Sequence, residues 1–237
     1  MTPRERLVFA LDVNCFEDAI QIIGDLKNHV GVFKIGLELF ASCGPTLIKY
    51  IKKRYNVPIM LDLKLHDTPA TVRATAKVIN DLGVEYLTAH IGDDVSSIKE
   101  AILACTHTKV LGVTVLTSVR SPIETCSNVK QLVYKRASEV SNSIHGIVCS
   151  GLEVKMLSNI FPWLEFFVPG VRLLGDHQDQ KRVVTPCQAI ERGATRVIVG
   201  REIRDAENRV AMADQIVRDI ARFAKRGTQE RPFTVGD

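Results

Sequence analysis

The chain has no apolar run near the roughly 18 to 20 residues that a membrane span requires, so no bilayer-crossing helix is expected. It also lacks a long cationic run. Its 31 basic and 27 acidic residues are interspersed and leave a net charge of +4, which does not indicate a nucleic-acid groove. The six cysteines, Cys15, Cys43, Cys105, Cys126, Cys149 and Cys187, include no Cys-x-x-Cys pair, so reduced and mostly buried thiols are expected in place of a disulfide framework. Nor do the six histidines form His-Glu-x-x-His or another compact ligand spacing, and no metal centre is expected. Met1-Thr2-Pro3-Arg4-Glu5-Arg6 leads straight into an apolar segment without a signal-peptide pattern, and a cytoplasmic location is expected.

What is present is ordinary globular material: 237 residues, 46% hydrophobic and 24% charged. Short apolar runs at Leu7–Val13, Val32–Leu37, Pro58–Leu65, Tyr86–Ile91, Lys109–Thr117, Gly146–Ser150, Leu164–Val171 and Arg196–Arg201 read as eight strands. Amphipathic or polar stretches at Glu17–Lys27, Pro45–Arg54, Pro69–Leu82, Ser96–Ala104, Asn128–Ser141, Pro186–Arg192 and Arg209–Lys225 read as helices, several opened by Pro, Ser, Thr or Asp. Strands recur about every 27 residues, the size of one βα unit, and eight such units predict an α/β fold closed as a (β/α)8 TIM barrel, one catalytic domain over residues 1–237. A doubly wound open sheet is weakened by Asp12-Val13-Asn14-Cys15 standing where a Gly-x-Gly-x-x-Gly turn belongs.

Strand alternation then locates charge. In Ile59-Met60-Leu61-Asp62-Leu63-Lys64-Leu65 the aliphatic positions 59, 61, 63 and 65 share the face expected to meet helices, leaving Met60, Asp62 and Lys64 for the lumen. The same argument sends Lys34 inward from the second strand and places Asp12 at the carboxyl end of the first. An ion pair can simply brace a barrel rim. At the end where such barrels carry their catalytic groups, two lysines and two aspartates from three adjacent strands point instead to a site. Thr68 and Pro69 read as a helix start, which leaves Asp67, ahead of the cap, free for the charge array. Near the carboxyl terminus, Gly200-Arg201 at the end of the last strand suits a phosphate, as does Pro169-Gly170-Val171-Arg172 followed by the polar loop Leu173–Lys181, which is long enough to cover a ligand.

The ordered segments Phe9-Ala10-Leu11-Asp12, Phe33-Lys34-Ile35-Gly36, Asp62-Leu63-Lys64-Leu65-His66-Asp67-Thr68-Pro69-Ala70-Thr71, Val115-Leu116-Thr117-Ser118, Val148-Cys149-Ser150, Pro169-Gly170-Val171-Arg172 and Gly200-Arg201 resemble the orotidine 5'-phosphate decarboxylase family over nearly the whole chain. The resemblance implies a barrel of the ribulose-phosphate-binding type that converts orotidine 5'-monophosphate to uridine 5'-monophosphate without cofactor or metal. It implies that Asp12 and Lys34 bind the ribose, that Lys34, Asp62, Lys64 and Asp67 form the catalytic array, and that Asp62, Thr68 and Thr71 also contact the substrate. Thr117 and Ser118 would lie beside the pyrimidine, and Arg172, Gln180, Gly200 and Arg201 at the phosphate. It further implies a homodimer with Asp67 donated across the interface. The chain departs from the family's common pattern at Thr68-Pro69-Ala70-Thr71 (commonly Ile-Pro-Asn-Thr), at Ala194-Thr195 (commonly Ala-Asp) and at Gly200-Arg201-Glu202 (commonly Gly-Arg-Pro).

Two other readings predict different behaviour. A magnesium-dependent enzyme like the 3-keto-L-gulonate 6-phosphate decarboxylases shares Asp-x-Lys-x-x-Asp but has a carboxylate where this chain presents Lys34. A barrel that only binds a nucleotide predicts ligand-induced stabilisation without turnover. Lys34 argues against the first, and the intact charge array against the second. With no cofactor motif to act as an electron sink, the expected chemistry is a fixed electrostatic field in which Lys64 stabilises and then protonates the carbanion at carbon 6 while Asp62 and Asp67 orient it.

Overall fold

The computed structural model describes residues 1–116, 129–173 and 184–226. Eight parallel strands, β1 (Leu7–Ala10), β2 (Val32–Gly36), β3 (Ile59–Leu65), β4 (Tyr86–His90), β5 (Lys109–Val113), β6 (Gly146–Val148), β7 (Glu165–Pro169) and β8 (Arg196–Val199), pair in sequence order, and β8 closes on β1. Around them run α1 (Phe16–Leu26), α2 (Leu37–Arg54), α3 (Pro69–Asp81), α4 (Ser96–Ala104), α5 (Val129–Val140), α6 (Val154–Ile160), α7 (Pro186–Glu191), α8 (Arg201–Arg204) and α9 (Arg209–Arg226). This is the TIM barrel that the strand spacing predicts. Among the described residues no helix is long and apolar enough to cross a membrane.

The period-2 pattern of the strands sorts the core into two layers. Leu7, Phe9, Phe33, Ile35, Ile59 and Leu61 join the large cluster between strands and helices. Their alternates Val8, Ala10, Val32 and Met60 meet Tyr86, Leu111, Phe167 and Ile198 inside the barrel. Helices answer with their own period: α1 buries Ala19, Ile22, Ile23 and Leu26, spaced three and four apart. Each Leu, Ile or Phe side chain buried this way contributes about 1.5 to 3 kcal/mol.

The amino-terminal end of the lumen is plugged. Tyr86 and Phe167 meet edge to face at 5.1 Å, and the Arg196 guanidinium lies 5.2 Å from each ring centroid. Glu165 pairs with Arg196 and, at 2.6 Å, with Lys109. A ligand therefore reaches the barrel from the other end, where the strands terminate.

The structure corrects several boundaries. Helix α2 begins at Leu37, directly off β2, and bends at Gly44, whose φ of 60° breaks the helical backbone. Pro45 opens only the second part of α2, so the segment expected to start there is half of a longer element. Helix α6 was not anticipated. Strand β8 ends at Val199, and Arg201, expected as its last residue, instead starts the four-residue α8.

Candidate active site

Four charged side chains converge where β1, β2 and β3 end, in the alternating order that permits neutralisation. Lys34 Nζ is 3.1 Å from Asp12 Oδ1 and 3.5 Å from Asp62 Oδ2, and Lys64 Nζ is 2.9 Å from that same Oδ2. All four line one cavity of about 240 Å³, together with Leu11, Gly36, Leu37, Glu38 and Leu39. Gly36 lies against the pair: a Cβ there would touch Asp12 Oδ1 at 3.6 Å and come within 3.3 Å of Lys34 Nζ, displacing the ammonium by a few tenths of an ångström.

Asp62 is the hub. Burial by itself pushes its carboxyl up, but the Lys34 and Lys64 charges and hydrogen bonds from Lys64 and Thr88 outweigh that and hold it below the usual value of 3.8. A carboxyl depressed in the folded state stabilises the fold above its unfolded pKa, and that contribution is lost as pH falls through the folded value. Between neutral pH and strongly acid pH, Asp62→Asn is thus expected to lose less stability than the unchanged chain. Urea unfolding at a series of pH values measures the two slopes, and equal slopes would contradict the depressed carboxyl.

Behind Asp62 the β3–β4 ladder is interrupted: Leu61 pairs with Leu87, but the next register pair is Leu65 with Ala89. Within the gap Lys64 takes a left-handed backbone, φ 51°, which costs a residue bearing a Cβ roughly 1 to 2 kcal/mol. Thr88, on β4 and fully buried, fills the interruption. Its hydroxyl accepts the Lys64 N–H at 2.9 Å and donates to Asp62 Oδ1 at 2.9 Å. Sequence reasoning missed Thr88, although alternation in Tyr86-Leu87-Thr88-Ala89-His90 places it on the lumen face beside Tyr86. It also missed His90, whose edge meets His66 at 5.4 Å; burial, then the neighbouring His66, Lys64 and Arg136 charges, lower its pKa below 6.5.

Asp67 lies on the exposed turn between β3 and α3. Its Oδ1 accepts the Thr68 N–H at 2.6 Å, its carbonyl accepts the Ser97 hydroxyl at 2.6 Å, and among the described residues no ion pair within 4.0 Å joins it to Lys64. Thr68 occupies the N-cap position of α3 without a side-chain capping bond; its hydroxyl pairs with that of Thr71 at 3.0 Å.

Arg172 and Arg201 follow the paired strands β7 and β8 at the same end of the barrel. Gly200 packs beside Asp12, since a Cβ on it would sit 3.5 Å from Asp12 Oδ2. The Glu202 carboxylate accepts the Leu173 N–H at 3.0 and 3.1 Å, tying the segment after β7 to α8. Thr195 accepts the Phe166 N–H at 2.9 Å. The three departures from the family pattern are thus each engaged in a local contact. Arg204 donates to the Asp12 carbonyl at 3.1 Å and supports the turn that carries Asp12. Thr117, Ser118, Gln180 and the loop beyond Leu173 lie outside the described residues. Among the described residues no group of three or more His, Cys, Asp or Glu is placed to hold a metal ion.

A family model described as "Orotidine 5'-phosphate decarboxylase / HUMPS family" matches residues 5–216. The orotidine 5'-phosphate decarboxylase of Desulfosudis oleivorans is 39% identical over 240 residues, covering 94% of this chain and 96% of that protein. That of the Wolbachia of Culex pipiens is 37% identical over 224 residues, covering 90% and 98%. Among solved structures, orotidine 5'-phosphate decarboxylase from Lactobacillus acidophilus superposes with a TM-score of 0.78 at 30% identity, covering 90% of this chain and 98% of that one.

Proposed function

The chain belongs to the orotidine 5'-phosphate decarboxylase / HUMPS family, and on that premise we propose how its own residues decarboxylate orotidine 5'-monophosphate, the last step of de novo uridine 5'-monophosphate synthesis. The observation that carries this reading is the Asp62 carboxylate held between Lys34 and Lys64 at the open end of the barrel. The bond from carbon 6 of the pyrimidine to its carboxylate breaks, and the electron pair stays on carbon 6. Carbon dioxide leaves, and the Lys64 ammonium, aimed by Asp62, donates its proton to carbon 6. Lys64 then regains a proton from solvent. A charge fixed in place before the reaction has no reorganisation to undergo as the carbanion forms, which is how electrostatic preorganisation lowers the barrier.

Asp12 and Lys34, 3.1 Å apart at the cavity wall, take the ribose hydroxyls. Thr68, Thr71, Thr117 and Ser118 complete the nucleoside side of the site, and Arg172, Gln180, Gly200 and Arg201 the phosphate end. The site is shared between two copies of the chain, each lending Asp67 to the other. A magnesium-dependent reading is disfavoured by Lys34, which sets a cation where a divalent metal needs an oxygen ligand. An ultraviolet assay of orotidine 5'-monophosphate with a chelator present tests the reading. Turnover is the expected result. A magnesium requirement would revive the gulonate-phosphate alternative, and binding of uridine 5'-monophosphate without turnover would leave a nucleotide-binding barrel.

Arg201→Ala is expected to weaken use of the nucleotide by roughly 2 to 5 kcal/mol, the cost of truncating one partner of a charged pair buried in a complex. Use of the unphosphorylated nucleoside should change far less. Equal losses on both substrates would make Arg201 structural.

A further inference from the structure

We propose that Thr88 is a positioning residue for the decarboxylation, its hydroxyl fixing the Asp62 carboxylate and the Lys64 backbone to one another. The inference rests on the decarboxylation reading above and assigns a role to a residue of β4 that does not reach the substrate.

The hydroxyl has one proton and two lone pairs, and both kinds of capacity are used. It accepts the Lys64 N–H at 2.9 Å and donates to Asp62 Oδ1 at 2.9 Å. Because Oδ1 is occupied, the other oxygen, Oδ2, faces Lys64 at 2.9 Å and Lys34 at 3.5 Å. The two bonds thereby set both ends of the Asp62–Lys64 pair: the rotation of the carboxylate, and the path of the chain that carries the ammonium.

A strand ladder cannot do this at residue 64. Register is lost between Leu61 and Leu65, and the left-handed backbone of Lys64 turns its N–H out of the regular pairing. A side chain from β4 supplies the missing acceptor. Thr88 is fully buried, so its hydroxyl is out of contact with bulk solvent. Removing the hydroxyl leaves a buried N–H and a carboxylate oxygen unpaired in the same place, and both relax by moving the groups whose spacing the reaction depends on.

The test compares Thr88→Val, which keeps the shape and removes the hydroxyl, with Thr88→Ser, which keeps the hydroxyl. The readouts are kcat, inhibition by uridine 5'-monophosphate, and hydrogen exchange of the Lys64 amide, each against the unchanged chain. Thr88→Val is expected to lower kcat about 10- to 100-fold, by analogy with the loss of a hydrogen-bond partner that orients a metal ligand. Inhibition by the product should stay within about threefold, since ribose and phosphate are held elsewhere. Thr88→Ser should keep kcat within about threefold and retain the protected Lys64 amide, which Thr88→Val loses. If Thr88→Val does not fold, Thr88→Ala, which has neither side-chain donor nor acceptor, takes its place under the same criteria. A kcat for Val or Ala equal to that of the unchanged chain overturns the proposal, as does a loss in Ser as large as in Val. Should the unchanged chain not turn over the substrate, the decarboxylation reading fails by itself, and the amide exchange still decides whether Thr88 fixes the pair.

Discussion

Lys64→Ala is expected to lower turnover of orotidine 5'-monophosphate by at least about 10⁴-fold, because it removes at once the proposed proton donor and the cation proposed to face the developing carbanion. The protein should remain folded. Lys64 is about one-third exposed, Asp62 keeps Lys34 at 3.5 Å and the Thr88 hydroxyl at 2.9 Å, and the core layers on both sides of β3 are untouched. Uridine 5'-monophosphate should still bind, since the ribose and phosphate contacts proposed for it come from other strands. Asp62→Asn is expected to be similarly damaging for a different reason: it leaves two lysines facing each other without the carboxylate between them. The measurements are turnover by ultraviolet absorbance, binding of the product by calorimetry and secondary structure by circular dichroism. An unimpaired kcat in folded Lys64→Ala would remove Lys64 from the mechanism.

The contrast between what the sequence made legible and what it hid has physical causes. Alternation along β1, β2 and β3 assigned Asp12, Lys34, Asp62 and Lys64 to one cavity because side chains on a strand have only two directions available. It carried no information about Lys64's left-handed backbone, since that conformation follows from a register break against β4 and not from any local preference of Leu63-Lys64-Leu65. Thr88 was hidden for a related reason: a lone threonine in a strand matches β propensity so well that its hydroxyl raises no alarm. Helix α6, Val154–Ile160, has seven residues, too few for a 3.6-residue period to stand out. The first part of α2 was hidden by contiguity. Gly36 is both the end of β2 and the residue before the helix, so no polar loop marks the change, and Pro45 after the Gly44 kink looks like a fresh start. Asp67 stands out in the sequence because it precedes a cap that explains its neighbours Thr68 and Pro69. Its side chain in fact accepts the Thr68 N–H, yet that contact occupies only one of its two oxygens.

A mixture of two inactive variants, Lys64→Ala and Asp67→Asn, is expected to recover activity when they are unfolded and refolded together. Asp67 sits on an exposed turn held by Thr68 and Ser97, and among the described residues no ion pair within 4.0 Å links it to the Lys64 of its own chain. If it completes the site of a second copy instead, a twofold dimer makes the arithmetic definite. In a mixed pair, one site combines the altered Lys64 position with the altered Asp67 position and lacks both groups. The other takes Lys64 from its own chain and Asp67 from its partner, and is intact. Random exchange of equal amounts gives roughly one half mixed dimers, so roughly one quarter of all sites should work. The comparison is with each variant refolded alone, which should stay inactive, and with subunit exchange shown separately by native mass spectrometry. No recovery in a sample proven to contain mixed dimers would place the action of Asp67 within its own chain. Recovery near one quarter would instead explain why a carboxylate so close in sequence to Lys64 makes no pair with it inside one barrel.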